Sequence, residues 1–66
     1  MRLIVNGKDR EYLGPPTVSA LLAEMGADPQ RVAVAVNGEV NPRTERDSFR
    51  LGENDRVEVL AFCGGG

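Results

Sequence analysis

The residues best suited to take part in chemistry are the last four, Cys63-Gly64-Gly65-Gly66. A folded body has no use for three glycines in a row. Glycine loses the most backbone freedom on ordering, so such a run gains definition only when something grips it. A run without side chains fits a channel too narrow for any β-carbon, and it would present the α-carboxylate of Gly66 to another protein's active site. A carboxylate is a poor electrophile and must first be activated, for example as an acyl-adenylate. In this reading Gly66 carries the reacting group, and Gly64 and Gly65 serve by what they lack. The competing reading is a frayed end with no role.

The rest of the chain supplies little other chemistry. Its 66 residues contain no His and one Cys. A histidine-activated nucleophile is therefore excluded, and one Cys cannot build a metal site. The glycines close the chain rather than opening a helix after a strand, so no phosphate-binding loop is present. No catalytic residue is expected, and no bound metal or resident cofactor; any reaction is done to this protein rather than by it. The net charge of −2, with both signs interspersed, argues against nucleic acid as the main partner. No apolar run approaches the ~20 residues of a membrane span, and residues 1–20 carry no signal-peptide pattern. Together with the single cysteine, these features predict a cytoplasmic protein, and nothing demands more than a monomer.

The body that positions the tail can be read from its punctuation. Residues 2–6 and 9–13 read as strands joined at Asn6-Gly7, a pair that tolerates the positive φ of a tight hairpin. Gly14-Pro15-Pro16 turns the chain. Thr17 caps a helix in which Val18, Leu21, Leu22 and Met25 form one apolar stripe, and Gly26 and Pro29 end it. Residues 32–36, Val-Ala-Val-Ala-Val, form a third strand with its large residues toward the helix. Asn37-Gly38 leads into a short return at Glu39-Val40. Residues 41–49 are polar and irregular and are expected to wrap a sheet edge, with Pro42, Arg43, Glu45, Arg46 and Asp47 discouraging edge pairing. Leu51 pins the segment to the core, Asn54 turns the chain, and a last strand runs from Arg56 to Phe62.

One helix between two hairpin-like halves predicts an α+β protein of β-grasp architecture. It has a mixed sheet of four to five strands with the helix across one face, and the first and last long strands are parallel neighbours. The folded domain spans residues 1–62 and the glycine tail residues 63–66. In the last strand Val57, Val59 and Ala61 point one way, and Glu58, Leu60 and Phe62 the other. Ile4, Leu60 and Phe62 are thus predicted to meet on the open face as a partner-docking patch at the base of the tail. Alternatively residues 41–50, with Phe49, cover that face. Cys63 reads as a small apolar residue ending the strand; the alternative, a sulfur-transfer thiol, lacks a nearby Lys, Arg or His to lower its pKa.

Several stretches resemble the ThiS-type sulfur carriers of thiamin thiazole biosynthesis: Val5-Asn6-Gly7, Thr17-Val18 leading into Leu21-Leu22, Val34-Ala35-Val36-Asn37-Gly38-Glu39-Val40 followed by Pro42-Arg43, and Asp55-Arg56-Val57-Glu58-Val59 before the glycine end. Their order and spacing cover nearly the whole chain. Asn41, Asn54 and Cys63 depart from the family's usual residues, and none of them touches Gly65-Gly66. The resemblance implies adenylation of Gly66 by an E1-like, ThiF-type adenylyltransferase that uses ATP, and conversion to a thiocarboxylate with sulfur from a persulfide donor such as a cysteine desulfurase. It also implies delivery of that sulfur to a ThiG-type thiazole synthase. Related carriers serve molybdopterin, cysteine or tRNA thiolation, and ubiquitin-like modifiers share the fold and the diglycine end; these remain alternatives.

Overall fold

The computed structural model describes residues 1–61. Phe62 and the tail Cys63–Gly66, on which the threading expectation and part of the docking expectation fall, lie outside the described residues. The elements follow the punctuation of the sequence closely. They are β1 (Arg2–Val5), β2 (Lys8–Glu11), α1 (Val18–Met25), β3 (Val32–Val36), β4 (Glu39–Val40), a 3-10 turn at Arg43–Glu45, and β5 (Arg56–Ala61). Asn6 and Gly7 sit at φ 52° and 81°, and Asn37 and Gly38 at 52° and 86°. Two consecutive positive-φ residues are what a two-residue hairpin turn needs to match the twist of its strands.

The helix is closed at both ends by local chemistry. Thr17 is extended (φ −122°, ψ 156°) and its hydroxyl accepts the Ala20 N–H at 3.2 Å. At the other end Gly26 is left-handed (φ 73°). Its N–H bonds Ala23 O at 3.1 Å, and Ala27 N–H bonds Leu22 O at 3.0 Å. That pair of bonds satisfies carbonyls the helix would otherwise leave open.

The five strands form one sheet in the order β2-β1-β5-β3-β4. β1 and β5 run parallel, which requires the crossover that α1 supplies, and the other neighbours are antiparallel. This is the β-grasp arrangement. Val18, Leu21 and Leu22 of the helix are buried against Leu3, Val5, Val32, Val34, Val36 and Val57 of one sheet face. Leu51 joins this core, as its place in the sequence suggests.

Tyr12, directly after β2, is only 1% exposed. Gly14-Pro15 folds back over it, and the Tyr12 hydroxyl donates to Pro15 O at 2.6 Å. A β-carbon on Gly14 would stand 2.7 Å from that hydroxyl oxygen, so here glycine is required for close approach. Burial raises the phenol above its usual pKa of 10.0, and the Glu24 carboxylate adds to the shift.

The segment 41–51 covers the edge of β3 beyond β4, as expected, with Asn41 N–H bonding Val34 O at 2.8 Å. It also runs beside the helix. Ser19 N–H bonds Arg46 O at 3.1 Å, Leu51 N–H bonds Pro16 O at 2.8 Å, and Phe49 packs against the core. Arg46, expected to discourage edge pairing, is 5% exposed. Its two terminal nitrogens donate to Pro29 O and Val32 O, each at 2.8 Å.

Candidate functional site

The strand that leads toward the glycines is the central one. β5 is held by β1 on one side and by β3 on the other, with Val57 at zero exposure beneath the helix. Whatever acts on residues 62–66 therefore works from a base anchored in the middle of the sheet. The alternation predicted for this strand holds from Val57 to Leu60, while Ala61 at its end is exposed. Val57 and Val59 face the core, and Leu60 faces out at 66% exposure.

The docking patch forms differently from the expectation. Ile4 pairs with Arg56 and Val5 with Val57, whereas Leu60 pairs with Ala33. Ile4 and Leu60 thus share the open face but stand four positions apart along β5, about 13 Å at the usual rise of a strand. Between them lie Arg56 and Glu58, which with Ile4 and Gly7 line a shallow cavity of about 200 Å³. Side-chain alternation within each strand was legible, but the offset between two strands distant in sequence was not. That offset is set by long-range bonds, Ile4 N–H to Asp55 O and Asn6 N–H to Val57 O, both 2.9 Å.

The apolar neighbours that Leu60 does have were missed by sequence reasoning. Ala33 lies across from it, and Ala35 on the same face of β3 pairs with Val40 of β4, which is 79% exposed. A signal for these residues existed. The valines of Val-Ala-Val-Ala-Val face the helix, which leaves the alanines on the open face, and a hairpin at Asn37-Gly38 brings Val40 beside Ala35. The alternative in which residues 41–50 cover this face does not form, because Phe49 packs on the core instead.

Among the described residues no group of His, Cys, Asp or Glu is placed to hold a metal ion. No helix there is long and apolar enough to cross a membrane. What the arrangement provides is an apolar outer face at Leu60, Ala33, Ala35 and Val40, rimmed by Glu58 and Arg56, beside the strand that leads to the glycines.

Comparison with known proteins is consistent with this geometry. Residues 3–66 match the model of the ThiS family. The chain is 39% identical over 66 residues to a thiazole synthase of Paramagnetospirillum magneticum, and 35% identical over 66 residues to one of Magnetococcus marinus. Each match takes in all of this chain and 20% of the longer protein, so the chain spans about one fifth of the length of the curated relatives it matches. Among solved structures, the crystal structure of the thiamine biosynthesis protein ThiS from Geobacter metallireducens superposes with a TM-score of 0.84 at 39% identity, over the whole of both chains. A solution structure of a thiamine biosynthesis protein from the same organism gives 0.81 at 39% identity, over all of this chain and 88% of that one.

Proposed function

The chain belongs to the ThiS family, and on that premise we propose that it is a sulfur carrier for formation of the thiamin thiazole ring. The observation that carries this reading is that the family match runs through the glycine end to residue 66. In the proposed cycle an E1-like adenylyltransferase joins the Gly66 carboxylate to AMP and releases pyrophosphate from ATP. The terminal sulfur of a persulfide attacks the acyl carbon and AMP leaves. A thiol then cleaves the sulfur–sulfur bond and frees the thiocarboxylate. The carrier supplies no catalytic group; ATP and the sulfur donor belong to its partners, and the cycle runs in the cytoplasm. Gly64 and Gly65 keep the tail slim enough to thread a closed channel, which protects the adenylate from water.

The synthase is the proposed acceptor of the sulfur. The support is that two proteins named thiazole synthase contain a region matching this whole chain. Units that share a polypeptide there are read as working together here. Docking is assigned to the outer face at Leu60, with Ile4 farther along it and Phe62 retained from the sequence alone. Leu60→Glu is expected to weaken binding to the synthase at least about tenfold, while the melting temperature holds, because the side chain is largely in solvent already. Undiminished binding by a folded Leu60→Glu protein would rule this face out.

The cycle is tested by intact mass after incubation with ATP, the activating enzyme and a persulfide donor. Exchange of one terminal oxygen for sulfur adds about 16 Da. Oxidation of Met1, Met25 or Cys63 adds nearly the same, so high resolution and a Gly66-deleted control are needed. An ATP-dependent gain confined to the intact chain is the expected result. Its absence with a competent activating enzyme would reject the carrier reading.

A further inference from the structure

The hydrogen-bonding groups of β5 face its two neighbours in turn. Arg56 O accepts from Asn37 N–H on the β3 side. Asp55 O and Val57 O accept from Ile4 and Asn6 on the β1 side. By alternation the groups of Val59 and Ala61 also face the β1 side. There, however, β1 has already ended at Val5 and turned away through Asn6-Gly7. The side chain of Asn6 fills the first gap, its Oδ1 accepting the Val59 N–H at 2.8 Å. Beyond it, Val59 C=O and Ala61 N–H point into a space that no strand among the described residues occupies. β5 is thus the central strand of the sheet at one end and an edge strand at the other.

The chemistry of that half-edge selects its occupant. Val59 C=O and Ala61 N–H are the acceptor and donor that a single residue of a parallel strand engages, as Asn6 does one rung earlier. An antiparallel neighbour would have to forgo the Val59 N–H, which Asn6 holds, whereas a parallel strand uses both free groups through one residue without it. Leu60, between the two free groups, presents an exposed apolar side chain to whatever lies alongside. In sequence the half-edge immediately precedes residues 62–66.

We propose that a strand of the thiazole synthase adds to this half-edge, parallel to β5 and in line with β1, with backbone bonds to Val59 C=O and Ala61 N–H. It rests on the carrier reading above. Strand addition contributes affinity through the main chain and fixes the direction in which the following residues leave. The Asn6-Gly7 turn is then a stop that keeps β1 from consuming the rung the partner uses. The synthase is chosen as occupant because it is the partner for which relatives hold both units in one chain.

The test reads single amides. In the free protein the Val59 amide is expected to exchange slowly and the Ala61 amide fast. On saturation with the synthase, Ala61 exchange is expected to slow at least about tenfold as it gains a backbone partner. Ala61→Pro removes that N–H while leaving the β3 side of the ladder untouched, since the group faces away from β3. Binding to the synthase should weaken about tenfold, whereas Ala61→Val, which keeps the N–H, stays within about twofold. ATP-dependent thiocarboxylation of Ala61→Pro should persist. Failure of thiocarboxylation in the unmodified protein would instead sink the carrier reading. Unchanged Ala61 exchange in the synthase complex overturns strand addition. So does protection that appears only with the activating enzyme, or in the concentrated carrier alone.

Discussion

Gly65→Val will leave the folded body unchanged and abolish the ATP-dependent mass gain. The core residues lie between Leu3 and Val57, and the described ladder rungs between Arg2 and Ala61. A substitution at position 65 alters none of them, so the melting temperature should stay within the scatter of surface changes, equivalent to about 0.5 kcal/mol. The chemistry is different. Valine adds two methyl groups on a stiff β-branched carbon, at the residue next to the carbonyl that meets ATP in the proposed cycle. A channel shaped for bare backbone excludes it. A channel that opened to admit it would admit water too, and the adenylate would hydrolyse before sulfur arrived. The expected loss exceeds about 100-fold, close to 2.7 kcal/mol of transition-state stabilisation. It is read as the fraction of chain carrying the extra sulfur after a fixed incubation. Normal thiocarboxylate on Gly65→Val would refute a threaded tail even if the carrier reading survived.

What could be read in the sequence was local. The helix Val18–Met25, its Thr17 cap and its Gly26 end depend on residues within one turn of each other, and the structure places them where the spacing puts them. The Asn-Gly hairpins are equally local, since positive φ at two adjacent residues is a property of the pair. Even the parallel pairing of β1 with β5 follows from a single crossover helix. The failures are of one kind. Tyr12 lies at the end of a strand of polar residues, and its burial is decided by Gly14-Pro15 folding back to accept its hydroxyl. The separation of Ile4 from Leu60 is decided by which carbonyl of β5 meets Ile4, fifty residues away in sequence. Alternation tells which face a residue takes but not where along that face it stands. For the site, the glycine run marked the proposed reacting end by composition alone, whereas Val40 and the open-face alanines become visible as a surface only when the register is known.

Arg46 is the sharpest of these cases, and its removal should cause a large loss of stability in the body. In sequence it lies between Glu45 and Asp47 in a polar segment, where a charge normally faces water. In the structure its guanidinium is buried and bonds two backbone carbonyls, Pro29 O and Val32 O, at 2.8 Å. Those carbonyls lie at the approach to β3 and in its first residue. One planar fork thereby ties the 3-10 segment to the loop that feeds the sheet, while Arg46's own carbonyl receives the free N–H of Ser19 in the first turn of the helix. Arg46→Ala leaves that last bond but strands both carbonyls beneath the segment. At about 1–3 kcal/mol for each buried polar group left unpaired, the expected cost is about 3 kcal/mol. A chain of this length has a total stability of roughly 3–10 kcal/mol, so the melting temperature should fall by more than about 10 °C. Arg46→Lys should recover only part of this, because an ammonium is a point charge without the fork that spans both carbonyls. Arg43 gives the internal comparison. It also bonds a loop carbonyl, Gln30 O at 3.0 Å, but it is exposed. Arg43→Ala should cost no more than about 0.5 kcal/mol. The measurement is thermal and urea unfolding of the three variants side by side. If Arg46→Ala and Arg43→Ala shift the midpoint equally, the cost of desolvating the guanidinium cancels its bonds, and Arg46 is not the pin that holds this segment to the fold.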